Sequence, residues 1–194
     1  MTRIEELRTA IRDNTVPGGS AFGRAAAELI ALSIEASSDR DIASQLDELS
    51  TWLVATKPSM TSIRTVTARA RQALNHTDGR SRQHVAAAMR SFIDESNNSI
   101  NSLTRQAEAL FHDNALVLYH SYSGSLVRIL TEAAANYANL TVMLTESRPY
   151  RESRRIAEVL QRTSAKITAW SDAAMAVAVD SADFIMVGAD AILR

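Results

Sequence analysis

The hydrophobic positions of this chain change period once. Over the first hundred residues they recur every three or four positions. The sets are Ile4, Leu7 and Ile11; Phe22, Ala25, Ala26, Leu29 and Ile30; Ile42, Leu46, Leu49, Trp52 and Leu53; Ile63, Val66, Ala70, Ala73 and Leu74. A last set holds Val85, Met89, Phe92, Ile93, Ile100, Leu103 and Leu110. Such spacing puts each set on one face of a helix and predicts five helices with no strand between them. The interruptions carry helix-breaking or capping residues: Pro17-Gly18-Gly19 with Ser20 as candidate N-cap, Ser38-Asp39, Lys57-Pro58 and Gly79.

After His112-Asp113-Asn114 the pattern becomes short continuous apolar runs, the mark of strands buried on both faces. Leu116-Val117-Leu118-Tyr119, the run from Leu140 to Thr145, Lys166 to Trp170 and Phe184 to Val187 are the strand candidates. Between them lie helical stretches around Leu126–Ala133 and Ile156–Leu160, and a short one from about Asp172 to Val179. Strand and helix in alternation predict right-handed βαβ units and a parallel sheet. The expected fold is therefore α/β: an all-helical domain over residues 1–112, then a Rossmann-like domain of about four strands over residues 113–194.

Composition narrows the function. With 194 residues and 46% hydrophobic content the chain can bury a full core. Lys plus Arg (21) balance Asp plus Glu (22), which argues against direct nucleic-acid binding. The absence of cysteine removes disulfides, thiolate metal sites and a thiol nucleophile. The histidines are His76, His84, His112 and His120, and no pair has metalloprotease spacing, so no metal is expected. No apolar run approaches the roughly 20 residues of a membrane helix, and the charged start Thr2-Arg3-Ile4-Glu5-Glu6 is unlike a signal peptide. A soluble cytoplasmic protein is the expectation.

Parallel sheets bind ligands at the carboxyl ends of their strands. After the first strand stand His120-Ser121-Tyr122-Ser123-Gly124-Ser125, hydroxyls leading into a helix N-terminus, which suit a phosphate or equally serve as ordinary caps. The dinucleotide fingerprint is missing because only Gly124 is available, which argues against NAD; no cofactor is expected. After the second strand comes Thr145-Glu146-Ser147-Arg148-Pro149, where Arg148 could grip a phosphate bidentately or be a solvated surface residue. After the third, Ser171-Asp172-Ala173-Ala174 offers a carboxylate for acid–base work, for sugar hydroxyls, or for capping. Gly188-Ala189-Asp190 follows the fourth.

These strand-end segments, in this order, resemble one family. It holds the alpha, beta and delta regulatory subunits of translation initiation factor 2B and the isomerases of methylthioribose 1-phosphate and ribose 1,5-bisphosphate. Leu118 to Ser123, Thr145 to Pro149, Ser171 to Ala174 and Val187 to Asp190 carry the resemblance. In the helical half, Gly18-Gly19-Ser20 and Lys57-Pro58 before Ser62-Ile63-Arg64 are similar too. The resemblance implies a helical domain packed on a Rossmann-like one, with a pocket between them for a phosphorylated sugar or nucleoside monophosphate. It makes Arg148 a phosphate contact, Asp172 the catalytic or sugar-binding carboxylate, and Gly18, Gly19 and Ser20 the closure from the helical side. His120, Ser121 and Ser123 complete the expected ligand set, and a homo- or hetero-oligomer is implied.

Two departures shape the functional expectation. Where the isomerases of the family resemble one another in carrying a cysteine, this chain has Ser121. A thiol ionises near pH about 8.5, whereas a serine hydroxyl needs an activating base that the sequence does not identify. Regulatory binding without turnover is the leading expectation, with an aldose–ketose isomerase using Asp172 and Ser121 as the alternative, and a scaffold without ligand as a third. The second departure is the end: the chain stops at Arg194, before the Asn-Lys-x-Gly-Thr segment that the family resemblance leads one to expect. A fragment or shortened homologue, with part of the pocket missing, is the expectation.

Overall fold

The structure, a computed structural model, describes residues 1–37, 41–75 and 82–189. Ser38-Asp39, His76, Gly79 and Asp190 of the sequence reading lie outside the described residues. The described chain divides into two units, Met1–Ser99 and Ile100–Ala189.

In the first unit α1 (Arg3–Arg12), α2 (Gly19–Ala36), α3 (Ile42–Thr56), α4 (Thr61–Asn75) and the start of α5 (Arg82–Ala107) follow the predicted periodicity. Local chemistry sets the helix starts. Thr2 and Glu5 form a reciprocal capping box on α1, and Asp41 caps α3 by accepting the Ala43 N–H. The start of α2 corrects an expectation: Ser20 is not the cap but lies inside the helix, and Gly18, at φ 86, is the N-cap. Glycine tolerates that conformation and serine does not, so the helix begins as soon as the glycine turn is complete. Lys57 is the C-cap of α3, which is the helix-ending role that its neighbour Pro58 suggested.

The core of this unit is built on α2. Phe22, Ala26, Leu29, Ile30 and Ile34 meet Leu46 and Leu53 of α3, Ile63 and Val66 of α4, and Val85 and Met89 of α5. Small residues bring the helix axes close: a Cβ on Gly23 would sit 3.1 Å from that of Ser62. The Ser62 hydroxyl donates to the Gly19 carbonyl at 2.7 Å, so two segments singled out from sequence meet here. Further along α5 and its 3-10 extension the apolar stripe ends sooner than expected, for Leu103 and Leu110 are exposed at 45% and 54%.

The second unit alternates β1 (Leu116–His120), α6 (Gly124–Asn136), β2 (Thr141–Thr145), α7 (Ser153–Leu160), β3 (Lys166–Trp170), α8 (Met175–Ser181) and β4 (Phe184–Val187). A 3-10 turn over Asp172–Ala174 precedes α8. The sheet is parallel throughout, in the order β3-β2-β1-β4. Val117 and Tyr119, Val142 and Leu144, and Met186 point to the face on which Ile129 and Leu130 of α6 and Ile156 and Leu160 of α7 pack. Leu118 and Met143 point to the other face, where Ala178 of α8 covers them. The alternation follows from strand pleat, which turns successive side chains to opposite faces. Right-handed crossovers reverse sides when the sheet reverses direction, so α8 leads to β4 over the face opposite α6 and α7. The reversal makes a topological switch point between β1 and β4, where an open sheet of this kind offers its crevice. No described helix is long and apolar enough to cross a membrane.

Tyr119 links this core to the start of α6. Its ring is fully buried, and its hydroxyl accepts the Ser123 N–H at 2.7 Å and donates to the Ser123 carbonyl at 3.3 Å. Burial pushes the phenol up to about 12, so it stays a neutral donor and acceptor. Tyr119→Phe should therefore cost about 1–3 kcal/mol, the penalty for an orphaned backbone N–H, read as a lower midpoint in urea unfolding.

Candidate ligand-binding site

His120, Thr145 and Trp170 close β1, β2 and β3 in one row, because Thr145 pairs with Trp170 and His120 follows the Tyr119–Leu144 pair. They share the sheet face of Leu118 and Met143, opposite Tyr119, since pleat alternates sides. His120 Nδ1 lies 2.7 Å from the Thr145 hydroxyl, which lies 3.3 Å from that of Ser147. Ser147 is buried, with φ 57, and its hydroxyl is also 3.1 Å from Ser153 Oγ. The Ser153 hydroxyl donates back to the Thr145 carbonyl.

The chain leaves β1 through Ser121, which takes a left-handed conformation at φ 66. Its N–H donates to Ser147 Oγ at 2.8 Å, and its hydroxyl donates to Glu152 Oε2 at 2.9 Å. Two residues on, Ser123 caps α6 by accepting the Leu126 N–H, as the capping reading anticipated. Helix geometry leaves the N–H groups of Gly124 and Ser125 without intrahelical acceptors, a terminus suited to an anion. Gly188, after β4, lies against this turn: a Cβ there would come within 2.9 Å of Ser123 Cβ. Only glycine lets the β1 and β4 loops approach so closely at the switch point.

Asp172 does not cap the helix that follows it. Its two oxygens instead reach back to the loop after β2 and accept the N–H groups of Ser147 and Arg148, each at 2.9 Å. Those bonds, Arg148 first and Ser147 second, hold its carboxyl below the usual 3.8, with His120 contributing in the same direction. The Arg148 side chain is exposed and has no hydrogen bond or ion pair among the described residues. No group of three or more His, Asp or Glu side chains among the described residues could hold a metal.

His120, Ser121, Ser123, Arg148 and Asp172 are thus all at the carboxyl ends of β1, β2 and β3, joined by hydrogen bonds of one network or by direct neighbourhood in the chain. Gly18, Gly19 and Ser20 belong to the helical unit, where they open α2. The residues that sequence reasoning missed are Ser147, Glu152 and Ser153. Ser147 stood inside a quoted motif, yet nothing in the sequence tells a buried hydroxyl from a solvated one. Glu152, in the charged run Arg151-Glu152-Ser153-Arg154-Arg155, carries no signal at all.

Two measurements check this network. Ser147→Ala leaves the Ser121 N–H without its acceptor and should cost about 1–3 kcal/mol in urea unfolding. Because the folded pKa of Asp172 is depressed, its contribution to stability is fully present above the ordinary carboxylate range and is lost as pH falls through the folded value. The melting-temperature gap between wild type and Asp172→Asn should therefore be constant from neutral pH down to about 5 and close in stronger acid.

Comparison with known proteins identifies the family and the fold. The sequence matches the Initiation factor 2 subunit family over residues 15–194. It is 25% identical to the ribose 1,5-bisphosphate isomerase of Methanocaldococcus jannaschii over 99% of this chain and 63% of that protein, so the chain spans under two thirds of that relative's length. The fold superposes on the translation initiation factor eIF-2B of Pyrococcus horikoshii OT3 with a TM-score of 0.84 at 22% identity, covering 98% of this chain and 67% of the other. A chain of the tetrameric eIF2B-beta2-delta2 complex from C. thermophilum gives 0.73 at 19% identity, covering 97% and 66%. Because that family model matches residues 15–194, nearly the whole length, the chain belongs to the initiation factor 2 subunit family.

Proposed function

We propose that this chain is a cytoplasmic, initiation-factor-2B-like protein that binds a phosphorylated sugar or nucleoside monophosphate in a regulatory, non-catalytic role, within a homo- or hetero-oligomer. The observation that carries the reading is the state of the two groups that turnover would need. Ser121 holds the position where the family resemblance implies a thiol, and its proton is committed to Glu152. Asp172 has both oxygens engaged by backbone N–H groups and a lowered pKa, so near neutral pH it is an ionised acceptor with no proton to donate. Binding needs neither group to change its protonation. The Gly124 and Ser125 N–H groups and the exposed Arg148 guanidinium, unpaired among the described residues, provide donors for a phosphate. The oligomer draws on the C. thermophilum complex, whose chain has the same fold.

One observation favours the alternative, an aldose–ketose sugar-phosphate isomerase. Glu152 is a carboxylate within 2.9 Å of the Ser121 hydroxyl and could take its proton, which is the activating base that the sequence alone did not identify. The Methanocaldococcus jannaschii relative bears the name of such an enzyme.

A thermal-shift panel separates the readings. Ribose 1,5-bisphosphate, methylthioribose 1-phosphate, ribose 5-phosphate, AMP and GMP are added to wild type and to Arg148→Ala, since a ligand that binds only the folded state raises the melting temperature. The expected result is a rise for at least one phosphate ester, lost in the variant, with no ketose formed on prolonged incubation. Formation of a ketose phosphate would establish the isomerase instead. No rise with any ligand would leave a scaffold that binds no small molecule.

A further inference from the structure

We infer that the cleft between α1, α2 and α5 of the helical unit is a binding site for an organic monocarboxylate with an apolar body, whose carboxylate pairs with Arg24. Every residue lining the cleft belongs to the first unit, and the inference stands independently of the binding reading above. The cleft has a volume of about 500 Å3, and helix spacing builds it. Positions 3, 6, 7 and 10 of α1 line it, as do positions 21, 24, 25 and 28 of α2 and positions 93 and 97 of α5. Each set is one face of its helix. Val16, Ala21, Ala25 and Ile93 are half-buried apolar groups of this lining.

Arg24 is the group that this arrangement leaves uncompensated. Its side chain is half-buried, and among the described residues its only hydrogen bond is from Nη1 to the neutral Ser96 hydroxyl at 3.1 Å. A guanidinium has five N–H donors, so most of them lack an acceptor. The two carboxylates of the cleft are turned to Arg3 instead. Glu28 accepts from it twice, at 2.8 and 3.0 Å, and Glu6 accepts at 3.4 Å. Burial accordingly lowers the Arg24 pKa with no carboxylate to offset it, whereas Arg3, Arg12 and Arg69 shift upward beside theirs. A partly desolvated charge without a counterion costs folding energy, and an entering anion recovers it. Asn97, in the same cleft, makes no hydrogen bond among the described residues and has an amide N–H free to join. The chemistry of the anion follows from its neighbours. A planar carboxylate matches the guanidinium fork, while Glu6 and Glu28 would repel a phosphate dianion. The apolar wall adds affinity for a hydrocarbon body.

Ligand-observed NMR titration with hexanoate, 1-hexanol, acetate and inorganic phosphate tests this on wild type, Arg24→Gln and Ala21→Phe. Hexanoate should bind wild type at least about ten-fold more tightly than the other three, which lack the charge, the body or the single charge respectively. In Arg24→Gln hexanoate should weaken by about ten-fold, and the variant should melt at or above the wild-type temperature, since an uncompensated charge is gone. Ala21→Phe keeps Arg24 and fills the cleft, and should weaken hexanoate as well. Equal binding of hexanol, acetate or phosphate overturns the inference, as does unchanged hexanoate affinity in Arg24→Gln or no hexanoate binding by wild type. An Arg24→Gln protein that melts well below wild type, or does not fold, makes Arg24 a structural residue and overturns it too. None of these results bears on the thermal-shift panel with Arg148→Ala.

Discussion

The hydroxyl of Ser147 is the point on which the carboxyl end of the sheet depends. It accepts the N–H of Ser121 from the turn after β1 and contacts Thr145 at the end of β2 and Ser153 at the start of α7. Its own N–H goes to Asp172, which follows β3. Three strand ends and a helix are thus joined through one small buried residue, two of the strand ends and the helix through its hydroxyl. A hydroxyl can do this because it donates once and accepts twice, and because a buried site makes each unmade bond costly. Ser147 takes a positive φ in the process, a conformation uncommon for a residue with a Cβ, and the bonds around it hold it there.

Hydrophobic burial and the polar network act at different levels of this structure. Burial of Val117, Tyr119, Val142 and Leu144 under α6 and α7 sets the strands and their register, since a one-residue slip would turn that set toward the other face. Such burial is worth about 1.5–3 kcal/mol for each large side chain, more than a typical net hydrogen bond. Yet burial is non-directional and says little about where a loop ends. The carboxyl-end loops are fixed by directional bonds instead, from Asp172 back to Ser147 and Arg148 and from Ser121 to Glu152. The carboxyl-end loops therefore rest on the weaker interaction, held in place by the stronger one.

The chemical consequence is that the polar groups of Ser121, Ser147 and Asp172 already have partners. Asp172 is held ionised, and the Ser121 proton is committed before any ligand arrives. In the proposed binding role, such a fixed pattern of acceptors would need little reorganisation on meeting a ligand.

The α/β order and the strand limits of β3 and β4 were legible in the sequence, because apolar period changes from helical to continuous and that change is a local property. Ser123 as a cap and Lys57 as a helix end were legible for the same reason, whereas Ser20 misled because the positive φ of Gly18 settles where α2 begins. His120, Ser121, Arg148 and Asp172 could be named from their positions after strands. What they do there could not. The sequence by itself determined which residues alternate in and out of the core and which polar residues stand at the strand ends. Only the tertiary structure decided that Asp172 reaches back to the loop after β2 instead of capping its own helix, that Ser147 is buried, and that Glu152 faces Ser121 from 31 positions away. The reason is physical: periodicity follows from the geometry of one helix or strand, whereas a hydrogen bond between loops depends on the sheet bringing distant segments within 3 Å.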